Sequence, residues 1–172
     1  MKSIMPKQIS YSPGVRDLKN VDAIVIHYTG NRNDTAENNA KYFASTNTRS
    51  AGAHYFVDQK GTIVKSVPLK YAAWAVGGDK YKNCKTTGGG KFYGIYGNHN
   101  TVSIELCDIV DKDPSEAMIK AVKKLIKQIR KSCPNARKVI RHFDVNGKPC
   151  PASLSGKDNE ARWKIFLSAI GE

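Results

Sequence analysis

Met118, Ala121, Val122, Leu125, Ile126 and Ile129 fall on one stripe of a helix, and Lys120, Lys123, Lys124, Lys127, Arg130 and Lys131 fall on the other side. No other segment constrains the fold so tightly. A stripe of this period holds a stable helix in water when it packs against a second apolar layer. The Asp113-Pro114 pair is expected to open this helix, which runs to Lys131, and Pro134 to stop the chain from continuing it.

The remaining segments supply that second layer. Asp22–Tyr28 reads as a buried strand, and Lys138–Arg141 as a short one. Thr101–Cys107 alternates: Val102, Ile104 and Leu106 face one way, Ser103, Glu105 and Cys107 the other. Ala53–Asp58 and Thr62–Val67 read as a β-hairpin, with Gly61 where the turn wants positive φ. Asp34 and Glu37 have the spacing of a capping box for a helix ending near Ser45. A last helix over Glu160–Ile170 turns Trp163, Phe166, Leu167 and Ile170 inward. Strands alternating with helices, with one hairpin among them, predict a single α/β domain over residues 1–172. Its architecture is a mixed central β-sheet flanked by helices. Residues 1–20, with Pro6, Pro13 and Gly14, are expected to be irregular. Gly77–Asn100 carries seven glycines and reads as one long connection, of the kind that is either functional or mobile.

Charge narrows the partners without choosing among them. The chain has 28 Lys and Arg against 15 Asp and Glu, a formal charge of +13. Nucleic acid, anionic membrane and acidic cell-wall polymer all suit such a field. No apolar run approaches a membrane span, so membrane insertion is not expected. The N-terminal residues lack the apolar core of a signal peptide. Cys84, Cys107 and Cys133 are expected as reduced thiols, because four cysteines at irregular spacing do not make a disulfide framework.

The chemistry gathers at the strand ends. His27 closes the apolar run Ala23–Ile26, His142 closes Lys138–Arg141, and Cys150 follows in the loop 146–151. Two imidazoles and a thiolate suit Zn²⁺, and three protein ligands with one open position is the pattern of a catalytic zinc. A histidine at a strand end more often serves as a hydrogen-bonded core residue, so the reading depends on whether the three meet in space. Glu105 is a carboxylate in an otherwise apolar or small strand. On a cleft face it could take a proton from an activated water, and on a half-exposed face it is only a surface residue. Lys148, two residues before Cys150, could oppose an oxyanion, or it is one more lysine in a basic chain. Trp74, Tyr93 and Tyr96 offer flat faces for sugar or peptide.

Five segments in order then resemble a known family: Val-Ile-His-Tyr-Thr-Gly (25–30), Ala-His-Tyr-Phe-Val-Asp with Gly-Thr-Ile (53–63), Asn-Thr-Val-Ser-Ile-Glu-Leu (100–106), Arg-His-Phe-Asp-Val (141–145) and Lys-Pro-Cys-Pro (148–151). Together they look like the zinc-dependent N-acetylmuramoyl-L-alanine amidases, which share a fold with phage lysozyme-type amidases and peptidoglycan recognition proteins. The resemblance covers about residue 20 to the C-terminus. It implies one zinc per chain on His27, His142 and Cys150, with Glu105 acting on the water and Lys148 beside it. Some relatives place a Tyr before the position of His54, where this chain has Ala53, so the glutamate variant is implied. Many carry a Trp-His pair after the hairpin, where this chain has Trp74-Ala75. The histidine contact to substrate is then missing or supplied by His54 or His99.

The implied activity is hydrolysis of the amide between N-acetylmuramic acid and L-alanine in bacterial peptidoglycan, by a monomer. The enzyme would be made in the bacterial cytoplasm, as a phage endolysin or an autolysin, and act on the wall after release or export. The basic surface would hold anionic wall polymers. Two rivals are a non-catalytic peptidoglycan-binding module of the same fold, which Cys150 argues against, and a nucleic-acid-binding protein, whose usual motifs are absent. Asp144 is expected either to set a histidine tautomer or to cap a turn.

Overall fold

The computed structural model describes residues 1–172. Eight strands and five α-helices follow the chain as β1 (Lys2–Ser3), β2 (Tyr11–Val15), β3 (Ala23–Tyr28), α1 (Ala36–Ser45), β4 (Tyr55–Val57), β5 (Ile63–Lys65), β6 (Tyr71–Ala73), α2 (Cys84–Thr87), β7 (Thr101–Leu106), α3 (Glu116–Ser132), β8 (Lys138–Arg141), α4 (His142–Asn146) and α5 (Glu160–Ile170). Six strands form one sheet in the order β1-β5-β4-β7-β3-β8. The pairs β3/β7, β3/β8, β4/β7 and β1/β5 are parallel, and the hairpin pair β4/β5 is antiparallel. The expected mixed sheet is therefore present, and Gly61 has φ +77° in the hairpin turn.

Alternation along the central strands decides what covers each face. Ile24, Ile26, Val102, Ile104 and Leu106 enter a core of 20 buried residues with Met118, Val122, Leu125, Ile126 and Ile129 of α3 and Trp163, Phe166 and Ile170 of α5. Helix α3 starts one turn's cap later than the Asp113-Pro114 pair suggests. Ser115 Oγ accepts from Met118 N at 3.1 Å, and Ser115 N and Oγ are both bonded to Gln59, which fixes the cap. Arg130 and Lys131 lie in its last turn, where cations suit the helix dipole. Helix α1 likewise begins under a Thr35 cap and not Asp34, whose carboxylate is drawn to Asn31 and Asn39.

The opposite face is covered in two patches. Ala36 and Ala40 of α1 cover Phe56, Val64 and Cys107. Ala23, Val25 and Ile140 pack with Val76 and Val145. Between the patches, at the carboxyl ends of β3 and β7, lies an open depression lined by Tyr28, Glu105 and Lys148, and ligand sites of open α/β sheets form in such places.

One expectation fails and a second is refined, since Gly77, Gly78, Asp79, Tyr81 and Asn98 of the long connection line a groove. The first 20 residues are not irregular throughout: β1 pairs with β5, and β2 pairs with β6 in a separate ribbon. Pro13 and Gly14 are tolerated because β2 belongs to a two-stranded ribbon whose register shifts between Tyr11 and Val15. The Gly77–Asn100 connection contains α2 and is fastened to α4: Tyr81 N donates to Asn146 O (2.8 Å), Gly90 N to Phe143 O (3.0 Å) and Phe92 N to Asp144 O (2.9 Å).

Candidate metal centre

His27 is the last-but-one residue of β3, and the parallel register sets it beside Glu105 of β7. Strand β8 lies on the other side of β3 and delivers His142 at the first position of α4. The loop after α4 folds back, so that Phe143 N donates to Cys150 O at 3.0 Å and Lys148 N to Asn146 Oδ1 at 3.0 Å. These bonds bring Cys150 to His142 and to His27, 123 residues away in the chain.

The three ligand atoms lie within 4.8 Å of one another, and all three residues are buried. Cys150 Sγ is 3.8 Å from His27 Nδ1. Tetrahedral zinc, with bonds of about 2.0 Å to nitrogen and about 2.3 Å to sulfur, separates the two by about 3.5 Å. The distance therefore fits two ligands of one ion. His27 Nε2 and both ring nitrogens of His142 have no hydrogen-bond partner. Buried polar atoms are almost always paired, and a cation held by the cluster would take up one nitrogen of each ring.

Electrostatics agrees with the donor chemistry. Burial, then the neighbouring His142 and Lys148, hold His27 well below the usual imidazole range. Burial, then Lys148, bring His142 down to about 3. Both rings are neutral, as ligands must be. Burial and the nearby Glu105 push the Cys150 thiol up to about 12, against the opposing pull of the Tyr28 backbone bond and Lys148. A dication is the partner that would make this buried thiol a thiolate.

Glu105 stands at the floor of an open cleft. Its Oε2 is buried without a partner, and burial raises its carboxyl to about 7 against the opposing charge of Lys148. Lys148 is exposed and lies between two depressions. One, of 550 Å³, is lined by Trp74, Ala75, Asp79, Tyr81, Asn98, His142 and Lys148. The other, of 390 Å³, is lined by Tyr28, Asn31, Asp34, Tyr42, Arg49, Glu105 and Lys148. A substrate lying across Lys148 would reach His142 on one side and Glu105 on the other.

The other aromatic and histidine candidates divide. Trp74 lines the larger groove, and exposed His99 stands edge-on to it at 5.9 Å. Tyr93 and Tyr96 border a separate small depression of 60 Å³ and do not line the groove. His54 does not face the groove at all. It is buried, its Nδ1 is 2.9 Å from Ser103 Oγ, and its Nε2 is 2.9 Å from Arg16 Nη2 and 3.1 Å from Tyr71 O. Burial, then the Arg16 guanidinium, bring its pKa down to about 3, so the ring is neutral. The direct substrate contact expected of His54 is corrected to a buried structural role. Asp144 caps the turn: it accepts from Arg141 N at 2.8 Å and pairs with the Arg141 side chain, which also donates to Leu154 O.

Two residues that brace the groove wall escaped the sequence reading, Asn98 within its lining and Arg16 behind it. Arg16 donates to the carbonyls of Leu69, Asn98, His99 and Thr101, and burial lowers its pKa to about 10. Asn98 Oδ1 accepts from Ala75 N and Val76 N. A lone arginine in a basic chain and an asparagine in a glycine-rich stretch carry no local signal of such roles.

The family model described as N-acetylmuramoyl-L-alanine amidase matches residues 17–153. The chain is 32% identical over 149 residues to the N-acetylmuramoyl-L-alanine amidase CwlL of Bacillus licheniformis, a match covering 81% of this chain and 38% of that protein. The chain thus spans well under half the length of this curated relative. The solved structure of PlyL shares the fold with a TM-score of 0.73 at 22% identity, over 100% of this chain and 97% of that one. A mutant endolysin from Bacillus subtilis shares it with a TM-score of 0.69 at 24% identity, over 99% and 100%.

Proposed function

Because this chain belongs to the N-acetylmuramoyl-L-alanine amidase family, we propose that it cleaves the amide joining N-acetylmuramic acid to L-alanine in bacterial peptidoglycan, as a lytic enzyme of the endolysin kind. The observation that carries the reading is the meeting of His27, His142 and Cys150, with their unpartnered donor atoms, beside the unpartnered Glu105 oxygen.

We assign one zinc to His27, His142 and Cys150. When bound there, zinc supplies Lewis acidity toward water and the amide carbonyl. Glu105 Oε2 takes a proton from the attacking water and returns it to the leaving amine of alanine. Its half-buried position favours this exchange, because burial has already brought its proton affinity close to neutrality. The Lys148 ammonium opposes the negative charge that develops on the carbonyl oxygen. Trp74 gives the sugar or peptide a flat wall, and the Arg16 and Asn98 bonds hold the backbone that carries that wall. No helix is long and apolar enough to cross a membrane, and the protein is read as a monomer that meets the wall from the aqueous side.

Mass spectrometry of purified peptidoglycan after digestion tests the reading. Free stem peptides beginning with L-alanine, together with intact glycan, are expected. Cleavage within the glycan or between stem residues would overturn it.

A further inference from the structure

Lys80, Lys82, Lys85 and Lys91 surround a depression of 520 Å³ whose remaining lining is Tyr81, Cys84 and the backbone of Gly89 and Gly90. No carboxylate lines it. All four lysines are exposed, and none is in an ion pair. A few other exposed cations are paired, Lys120 with Glu116, Lys112 with Asp108 and Lys41 with Glu37, but what sets these four apart is that they share one concavity with no carboxylate in it. Four uncompensated ammonium groups around one concavity repel each other, and an anion relieves that repulsion.

The cluster is built and not merely scattered over a surface. Gly90 has φ +70°, and a side chain on it would stand 2.7 Å from Lys80 Cε and 2.8 Å from Cys84 Sγ. The stem of Lys80 therefore rests directly on the glycine backbone. The segment is also tied to the metal-centre helix. Tyr81 N and Cys84 Sγ both donate to Asn146 O, and Gly90 N donates to Phe143 O, the residue after His142. Tyr81 lines both this depression and the 550 Å³ groove, so the two are neighbours across one side chain.

We infer that this lysine cluster is a binding site for a linear phosphodiester polymer attached to the wall, held at a fixed offset from the metal centre. The inference rests on the reading of the chain as a wall amidase. Phosphodiester chemistry matches the site because the anionic groups repeat along a flexible chain, and lysine binds phosphate as a point charge needing no fixed orientation. Single-stranded nucleic acid fits less well, because it demands a row of stacking faces, and Tyr81 is the only aromatic side chain in the lining. The polymer would retain the enzyme on the wall and present the adjoining glycan to the groove.

The test measures binding of soluble poly(glycerol phosphate) to the full chain at low salt and at 0.15 M salt, with single-stranded DNA as comparator. Changing Lys80, Lys82, Lys85 and Lys91 together to Gln should weaken polymer binding by about tenfold or more, as loss of a local field requires. Changing the same four to Arg should preserve it, which guards against a folding defect in the Gln variant. Changing Lys120, Lys123, Lys127 and Lys131 of α3 to Gln should have a much smaller effect. Equal losses from the two Gln sets would overturn the site in favour of a diffuse field. So would single-stranded DNA binding as tightly as the polymer through the loop lysines. Cleavage of a short soluble muropeptide is measured separately. If it is absent while the polymer still binds through the loop lysines, the amidase reading fails and the site stands.

Discussion

The two faces of the β3–β7 pair differ by one residue of register and by everything else. On one face Ile24, Ile26, Val102, Ile104 and Leu106 disappear under α3 and α5. On the other, His27 and Glu105 sit side by side with unpartnered polar atoms, and Glu105 lines an open depression. An unsatisfied buried polar group costs about 1–3 kcal/mol, so the second face is costly to hold in the absence of a bound cation. The packed face supplies the stability that lets the other persist. Stability and chemistry are thus separated across the thickness of one sheet, and substitutions on the two faces should fail in different ways.

Glu105→Gln should show the largest kinetic effect. The amide is the same size and cannot accept the proton, so turnover is expected to fall by ~10²–10⁴ with fold and metal content unchanged. Cleavage near the wild-type rate would make Glu105 a structural residue and erase the contrast. Lys148→Ala should follow, with kcat lowered by about 10²–10³ and KM little altered, because the oxyanion exists only in the transition state. A raised KM at unchanged kcat would make Lys148 a plain substrate contact. Leu125→Ala, on the packed face, should destabilise the protein by about 2–5 kcal/mol in denaturant unfolding and leave kcat at moderate temperature unchanged. A lowered kcat in the folded Leu125→Ala protein would mean that the faces are coupled.

The packed face was the more legible of the two. Its signals are local: the helical stripe of Met118–Ile129, the alternation of Val102–Leu106 and the inner residues of the last helix need no distant partner to be read. The candidate ligands and Glu105 were legible as residue types at strand ends, and the ordered resemblance of five segments suggested roles for them. What escaped depends on long-range partners. His54 looks like a free histidine until Arg16 and Ser103, 38 and 49 residues away, occupy its ring. Asp144 is held by the Arg141 backbone and guanidinium, so it caps the turn and has no free oxygen for a histidine ring. Helix starts moved because Ser115 and Thr35 supply hydroxyl caps that the neighbouring aspartates do not. The β2/β6 ribbon was hidden by Pro13 and Gly14, which break a central strand but not a two-stranded edge.

The central claim is that His27, His142 and Cys150 form one metal centre on the face opposite the core. Metal analysis of the purified wild-type chain and of Cys150→Ala, with circular dichroism on both, tests it most directly. One zinc per wild-type chain, with zinc and wall cleavage lost together in a folded Cys150→Ala protein, is the predicted result. A folded Cys150→Ala protein that retains full zinc and full cleavage would contradict the account.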